Sequence, residues 1–188
     1  MRAPDYVEPI IGWRAWLVVD DEGEIRLSSV VHRGVWVPRC ELVAKCQRRL
    51  VCFPRVWRTK PSEHPAPTEA CACGIYGVRD AEHAACYLTN DLWRYEPLRW
   101  PLLHRAIGRV SLWGSVVECK RGWRASYAYP ERIYLPTQSE SGETLPQLGA
   151  LAAALSAYGV PVKLIDGDLS MVAALVAALK ARAAAQAG

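Results

Sequence analysis

The chain has 188 residues, of which 51% are hydrophobic and 22% charged, and a net charge of +4. That composition suits one domain, residues 1–188, with a sizeable core; it argues against disorder except at the ends and falls short of the concentrated basic stripe of a dedicated nucleic-acid binder. No stretch approaches the roughly 18 uninterrupted apolar residues of a membrane span, and MRAPDYVEPI carries no apolar signal-peptide core, so a cytoplasmic protein without membrane association is expected.

From Ile10 to Leu17 the chain alternates, with Trp13, Ala15 and Leu17 on one face, and predicts a strand. Asp20-Asp21-Glu22-Gly23-Glu24 has turn chemistry and EIRLSSV resumes the extended pattern, so residues 10–30 form a hairpin. Solvation explains the turn's carboxylates better than acid–base work. A third β segment, Gly34 to Pro38, carries Trp36.

Residues 39–58 space Cys40, Cys46 and Cys52 evenly and are compatible with either strand or helix. Pro54, Pro61, Pro65 and Pro67 then dictate an irregular loop up to Ala70, because proline removes an amide donor and fixes φ. After Gly77, Asp80 is placed to cap a helix of about three turns. Ile107 to Leu135 reads as a β-hairpin turning at Lys120-Arg121-Gly122.

Gly12-Trp13-Arg14-Ala15 recurs as Gly122-Trp123-Arg124-Ala125. Period-two alternation predicts Trp13 and Trp123 buried on paired, equivalent strands, with Arg14 and Arg124 on the wetter face. In the tail, an Ala/Leu-rich helix runs from Glu143 to Tyr158 and ends at Gly159, where a left-handed cap is usual. VPVKLI reads as a short buried strand, and Asp168 as the cap of a last helix with an apolar stripe of Leu169, Val172, Leu175, Val176 and Leu179. The fold class is therefore α+β: a mostly antiparallel twisted sheet or partly open β-barrel (about 10–135), a Cys/His metal loop, and two helices in a C-terminal portion (about 143–188).

Seven cysteines with no export signal argue for metal rather than a disulfide framework. His64, Cys71 and Cys73 occur in H-P-A-P-T-E-A-C-A-C-G, where Cys-x-Cys-Gly supplies two thiolates and Gly74 lets the backbone curl around an ion. Cys46 is the natural fourth ligand, with Cys40 and Cys52 as alternatives. Zinc is the expected metal, with an iron–sulfur cluster as the alternative. The plainer reading makes Cys71 and Cys73 small buried residues beside a surface histidine. A thiolate nucleophile at Cys71 or Cys73 with His64 or His83 as base has no flanking signature to support it, and His32, His83 and His104 read as ordinary residues.

No phosphate-cradling, dinucleotide-binding, zincin or nucleophile-elbow motif occurs. Arg14, Arg48, Arg49, Arg55, Arg58, Arg121 and Arg124 interleave with Trp13, Trp57 and Trp123, a pattern that would permit weak nucleic-acid contact but is ordinary for alternating strands.

Together, Gly12–Trp16, the Trp36–Cys46 stretch (W-x-P, then Cys), His64–Tyr76 (H-x-A-P-x-x-x-C-x-C-G-I-Y), Gly108–Glu118 (G-x-V-x-L-W-G-x-V-V-E) and Gly122–Ala125 resemble a family of small uncharacterised proteins from high-GC bacteria and their mobile elements. The resemblance covers about residues 10–135 and implies no activity. The expected function is a zinc-stabilised intracellular binding or adaptor module of unknown protein partner, with a nucleic-acid-binding regulator second and a Cys/His enzyme third.

Overall fold

The computed structural model describes residues 5–31, 34–46, 64–89, 100–138 and 145–168. Within them lie β1 (Asp5–Asp21), β2 (Glu24–Ser29), β3 (Val35–Trp36), β4 (Leu42–Val43), β5 (Ile75–Val78), α1 (Ala81–Thr89), β6 (Leu102–Cys119), β7 (Gly122–Pro136), α2 (Leu145–Leu155) and β8 (Val162–Ile165). Strand dominates, as expected.

β1 and β2 form the first hairpin, closing from Trp16 opposite Ser29 to Asp21 opposite Glu24. Glu22 and Gly23 both take positive φ at its tip, and the Gly23 amide donates to Asp20 Oδ1 at 2.7 Å, the geometry a two-residue turn needs to match strand twist. β6 and β7 form the second hairpin, turning at Lys120 and Arg121. β6 lies between β1 and β7, antiparallel to both.

On their other edges, β1 and β7 both meet β5. The four strands β1, β6, β7 and β5 thus pair in a cycle. The ring is local, because β5 meets β1 at a single register pair, Trp13 with Val78, and the eight-stranded sheet is not a barrel. The two Gly-Trp-Arg-Ala stretches are equivalent in this sense: each lies between β6 and β5.

The main core gathers Trp16, Trp36, Val110, Leu112, Ile133 and Leu135 under Leu148, Leu151 and Leu155 of α2, and each large side chain removed from water contributes about 1.5–3 kcal/mol. Trp16 and Trp36 meet edge to face at 5.7 Å between centroids. A second cluster packs Ala81, Ala84 and Ala85 of α1 with Trp13, Ile107 and Tyr134 of the sheet. Asp80 caps α1 as predicted, with Oδ1 accepting the His83 amide at 2.8 Å.

Three expectations are corrected. Trp13 is buried, but Trp123 is only half-buried and Arg124 is the buried member of its pair, at 6% exposure. From Trp13 to Val19 β1 is covered on both faces: Trp13, Ala15 and Leu17 join clusters with α1, Val30, Trp100 and Leu102, while Trp16 and Val18 enter the main core and Arg14 on their face is half-buried. β8 runs parallel to β7 with Lys163 and Leu164 exposed, so only Ile165 of the strand is buried.

Residues 39–46 form neither a long strand nor a helix; they contain the two-residue β4, paired with β7. Gly159 takes φ 70° as the expected left-handed cap, after a 3-10 turn at Ser156–Tyr158. The predicted final helix, Cys52, Trp57, His32 and the arginines at 48, 49, 55 and 58 lie outside the described residues. No helix among the described residues is long and apolar enough to cross a membrane.

Candidate metal centre

One strand, β7, assembles the site from both sides. β4 pairs with Tyr127 and Ala128, and the Ala44 amide then bonds the Ser126 carbonyl at 2.7 Å, which delivers Cys46 two residues later. The loop of residues 64–74 is tied to the same strand. Ser126 Oγ donates to the Ala66 carbonyl at 2.8 Å, and Arg124 reaches into the turn that carries Cys71 and Cys73.

Cys46, His64, Cys71 and Cys73 bring one ligand atom each to within 4.8 Å of all the others. These are the four residues named from the sequence, and this group could hold a metal ion. Cys40 is exposed and is not one of them. The sulfurs of Cys46 and Cys71 stand 3.7 Å apart. A zinc–thiolate bond of about 2.3 Å sets the edge of a tetrahedron near 3.8 Å, so this pair is already at ligand spacing.

His64 Nδ1 lies 2.9 Å from the Pro65 carbonyl. A proton donated there fixes the tautomer whose Nε2 lone pair is free for a metal. The same bond, and then one with the Cys71 thiol, raises the His64 pKa above its ordinary value. Burial pushes the Cys73 thiol up to about 11; a backbone hydrogen bond at Thr68 opposes the rise, and Cys71 and Cys46 add to it. Crowded thiols that resist ionisation one beside another are relieved by a cation among them.

The chain matches no protein-family model, no curated protein and no solved structure.

Arg124 is the organising residue that sequence reasoning missed. Its Nη1 donates to the carbonyls of Cys71, of Cys73 at 2.9 Å and of Thr68 at 3.4 Å, while Nε donates to Cys119 Sγ at 3.3 Å. Arginine suits this position because its planar fork serves several acceptors from one rigid group. Gly74, at φ 118°, completes the knuckle, and a Cβ there would lie 3.0 Å from both Pro67 Cβ and Arg124 Cβ. Tyr76 closes the turn by donating its hydroxyl to the Ala72 carbonyl at 2.6 Å.

Trp123, on the opposite face of β7, carries the Arg79 guanidinium 4.6 Å over its ring, with Arg79 paired in turn to Glu118. The loop covers the Arg124 face, while Trp123 packs only in part against the main core, which is the physical reason for the inverted burial. The other described histidines stand in other roles: His83 Nδ1 pairs with Asp80 at 2.7 Å at the start of α1, and His104 is buried with Nε2 2.9 Å from the Pro136 carbonyl.

Proposed function

We propose that the chain is a binding module whose Cys46, His64, Cys71 and Cys73 hold a structural zinc ion. The observation that carries this reading is the mutual approach of four ligand atoms within 4.8 Å. Three sulfurs and one imidazole are a donor set that zinc takes in closed, four-coordinate sites, whereas catalytic zinc keeps a position open for water or substrate. A multinuclear iron–sulfur cluster interposes its own iron and sulfide ions between the protein donors and needs them further apart, which favours a single ion.

The ion would fasten the 64–74 loop and the β4 segment onto β7, so that folding and metal binding become one equilibrium. Such a thiolate site suits a reducing compartment and hence a cytoplasmic protein. Elemental analysis of protein purified without added metal tests the reading. One equivalent of zinc per chain is expected, and a folded, metal-free protein with all of its thiols open to titration overturns it.

A further inference from the structure

The β1–β5 ladder consists of one pair, Trp13 with Val78. Beyond it the strands part, and the Arg14 side chain bridges the gap by donating to the Tyr76 carbonyl. A chamber of about 360 Å³ opens beside it, walled by residues of β1, β5, α1 and the metal knuckle. That volume lies within the roughly 300–1,000 Å³ typical of small-molecule sites.

The lining is apolar and aromatic, including Ala15, Val30, Val78, Ala84 and Tyr87, and Arg14 is the single charged residue among the described residues that line it. A second, larger cavity that shares Arg14, Ala72 and Gly74 with the first adds Lys45 and likewise has no Asp or Glu among its described lining.

The Arg14 guanidinium lies 5.1 Å from the centre of the Trp36 ring and spends one donor on the Tyr76 carbonyl and one on Ser29 Oγ at 3.1 Å. An arginine has five such donors. Its Nε is shut away from solvent without an acceptor, and no carboxylate among the described residues pairs with it. Burial lowers its pKa to about 10, so it remains a cation at neutral pH, at a cost. A half-buried cation that faces only neutral dipoles among the described residues lacks its counter-charge.

We propose that this chamber binds a small organic acid, its carboxylate on the Arg14 guanidinium and its aromatic or branched body among Ala15, Val30, Val78 and Ala84. A carboxylate matches the one positive charge among the chamber's described lining, whereas a phosphate dianion would leave a negative charge uncompensated there, and the planar fork suits a carboxylate's two oxygens. The inference rests on the proposed function in one respect: Ala72 and Gly74 of the metal knuckle form part of the wall.

The test is calorimetric titration of the full-length protein, its zinc content measured on the same sample, with 3-phenylpropionate, 3-phenylpropionamide and phenyl phosphate. The acid is expected to bind with Kd below about 1 mM, at least about tenfold more tightly than the neutral amide or the phosphate. Arg14→Gln should abolish the difference between acid and amide. Val31→Trp, at a residue that lines the chamber yet is 56% exposed, should block binding of all three while leaving the fold intact, which keeps the test decisive if the Arg14 variant fails to fold.

No saturable binding of the acid, equal binding of the amide, or tightest binding of the phosphate overturns the proposal. Protein that holds zinc yet ignores the acid refutes this inference and leaves the proposed function standing. Metal-free folded protein that binds the acid does the reverse.

Discussion

Arg14 and Arg124 meet at the same residue, Tyr76, from the two strands that flank β5: Arg14 donates to its carbonyl and the Arg124 guanidinium lies 6.0 Å from its ring. Each is the third residue of a Gly-Trp-Arg-Ala stretch. One supports the chamber beside β5 and the other supports the metal knuckle that leads into it.

Arg124 gives the sharpest mutational test. Replacing it by Met leaves the carbonyls of Thr68, Cys71 and Cys73 without their shared donor, and replacing it by Lys restores the charge without the fork. Loss of groups that orient metal ligands typically costs 10–100-fold in metal affinity. Both variants should lose zinc to a competing chelator more readily than the parent, Met more than Lys. Unchanged affinity in both would mean that Arg124 has no part in setting the knuckle.

Zinc affinity should depend steeply on pH, because each thiol must give up its proton to become a ligand. With its pKa pushed up to about 11, the Cys73 thiol is protonated in neutral solution. The sign follows: falling pH favours the protonated, metal-free form. Apparent affinity should drop by at least about a decade per pH unit as pH falls, and more steeply once His64 also protonates. His64 enters that range sooner because its pKa is raised. Chelator competition at several pH values measures the slope, and a slope near zero is incompatible with a three-thiolate site. Cys73→Ser should remove the metal and lower the melting temperature by about 2–4 °C for each kcal/mol lost.

Tyr158 joins the 3-10 turn after α2 to the first hairpin. Its hydroxyl accepts the Leu27 amide at 2.9 Å and donates to the Trp36 carbonyl, and burial pushes its pKa up to about 12. Tyr158→Phe keeps the ring and strands both buried backbone groups, a loss of about 1–3 kcal/mol. Denaturant unfolding should show it as a lower midpoint at unchanged slope, with zinc content unaffected. A neutral substitution would mean that water replaces the hydroxyl.

What the sequence disclosed was what is decided locally. The Glu22-Gly23 tip, the Lys120-Arg121 turn, the Asp80 cap and the Gly159 stop each depend on residues within a few positions, and each formed where expected. The Cys-x-Cys-Gly knuckle is equally local. Cys46 reaches it through β4–β7 pairing, which spacing alone could not choose over Cys40. The burial of Arg124 was illegible, because alternation says which residues share a face but not which face a distant loop will cover. In β8 the apolar run V-P-V-K-L-I suggested burial, and its place beyond β7 exposes Leu164 instead.

Nucleic-acid binding should be weak. Three members of the arginine–tryptophan set that could have formed a stacking surface are committed to contacts within the fold: Trp13 is 3% exposed, Arg124 is clamped on the knuckle carbonyls, and Arg14 is tied to Tyr76 and Ser29. A phosphate contact needs an accessible cation, and each one made on duplex DNA lowers log K by about 0.9 per decade of salt. With a net charge of +4 and basic residues interspersed with Asp and Glu, few contacts can form together. Labelled single- and double-stranded oligonucleotides titrated at low and at physiological salt should therefore show a shallow salt slope and binding that fades at the higher salt. Tight binding that survived it would require a basic surface beyond the residues described, and would place a nucleic-acid role ahead of the binding module.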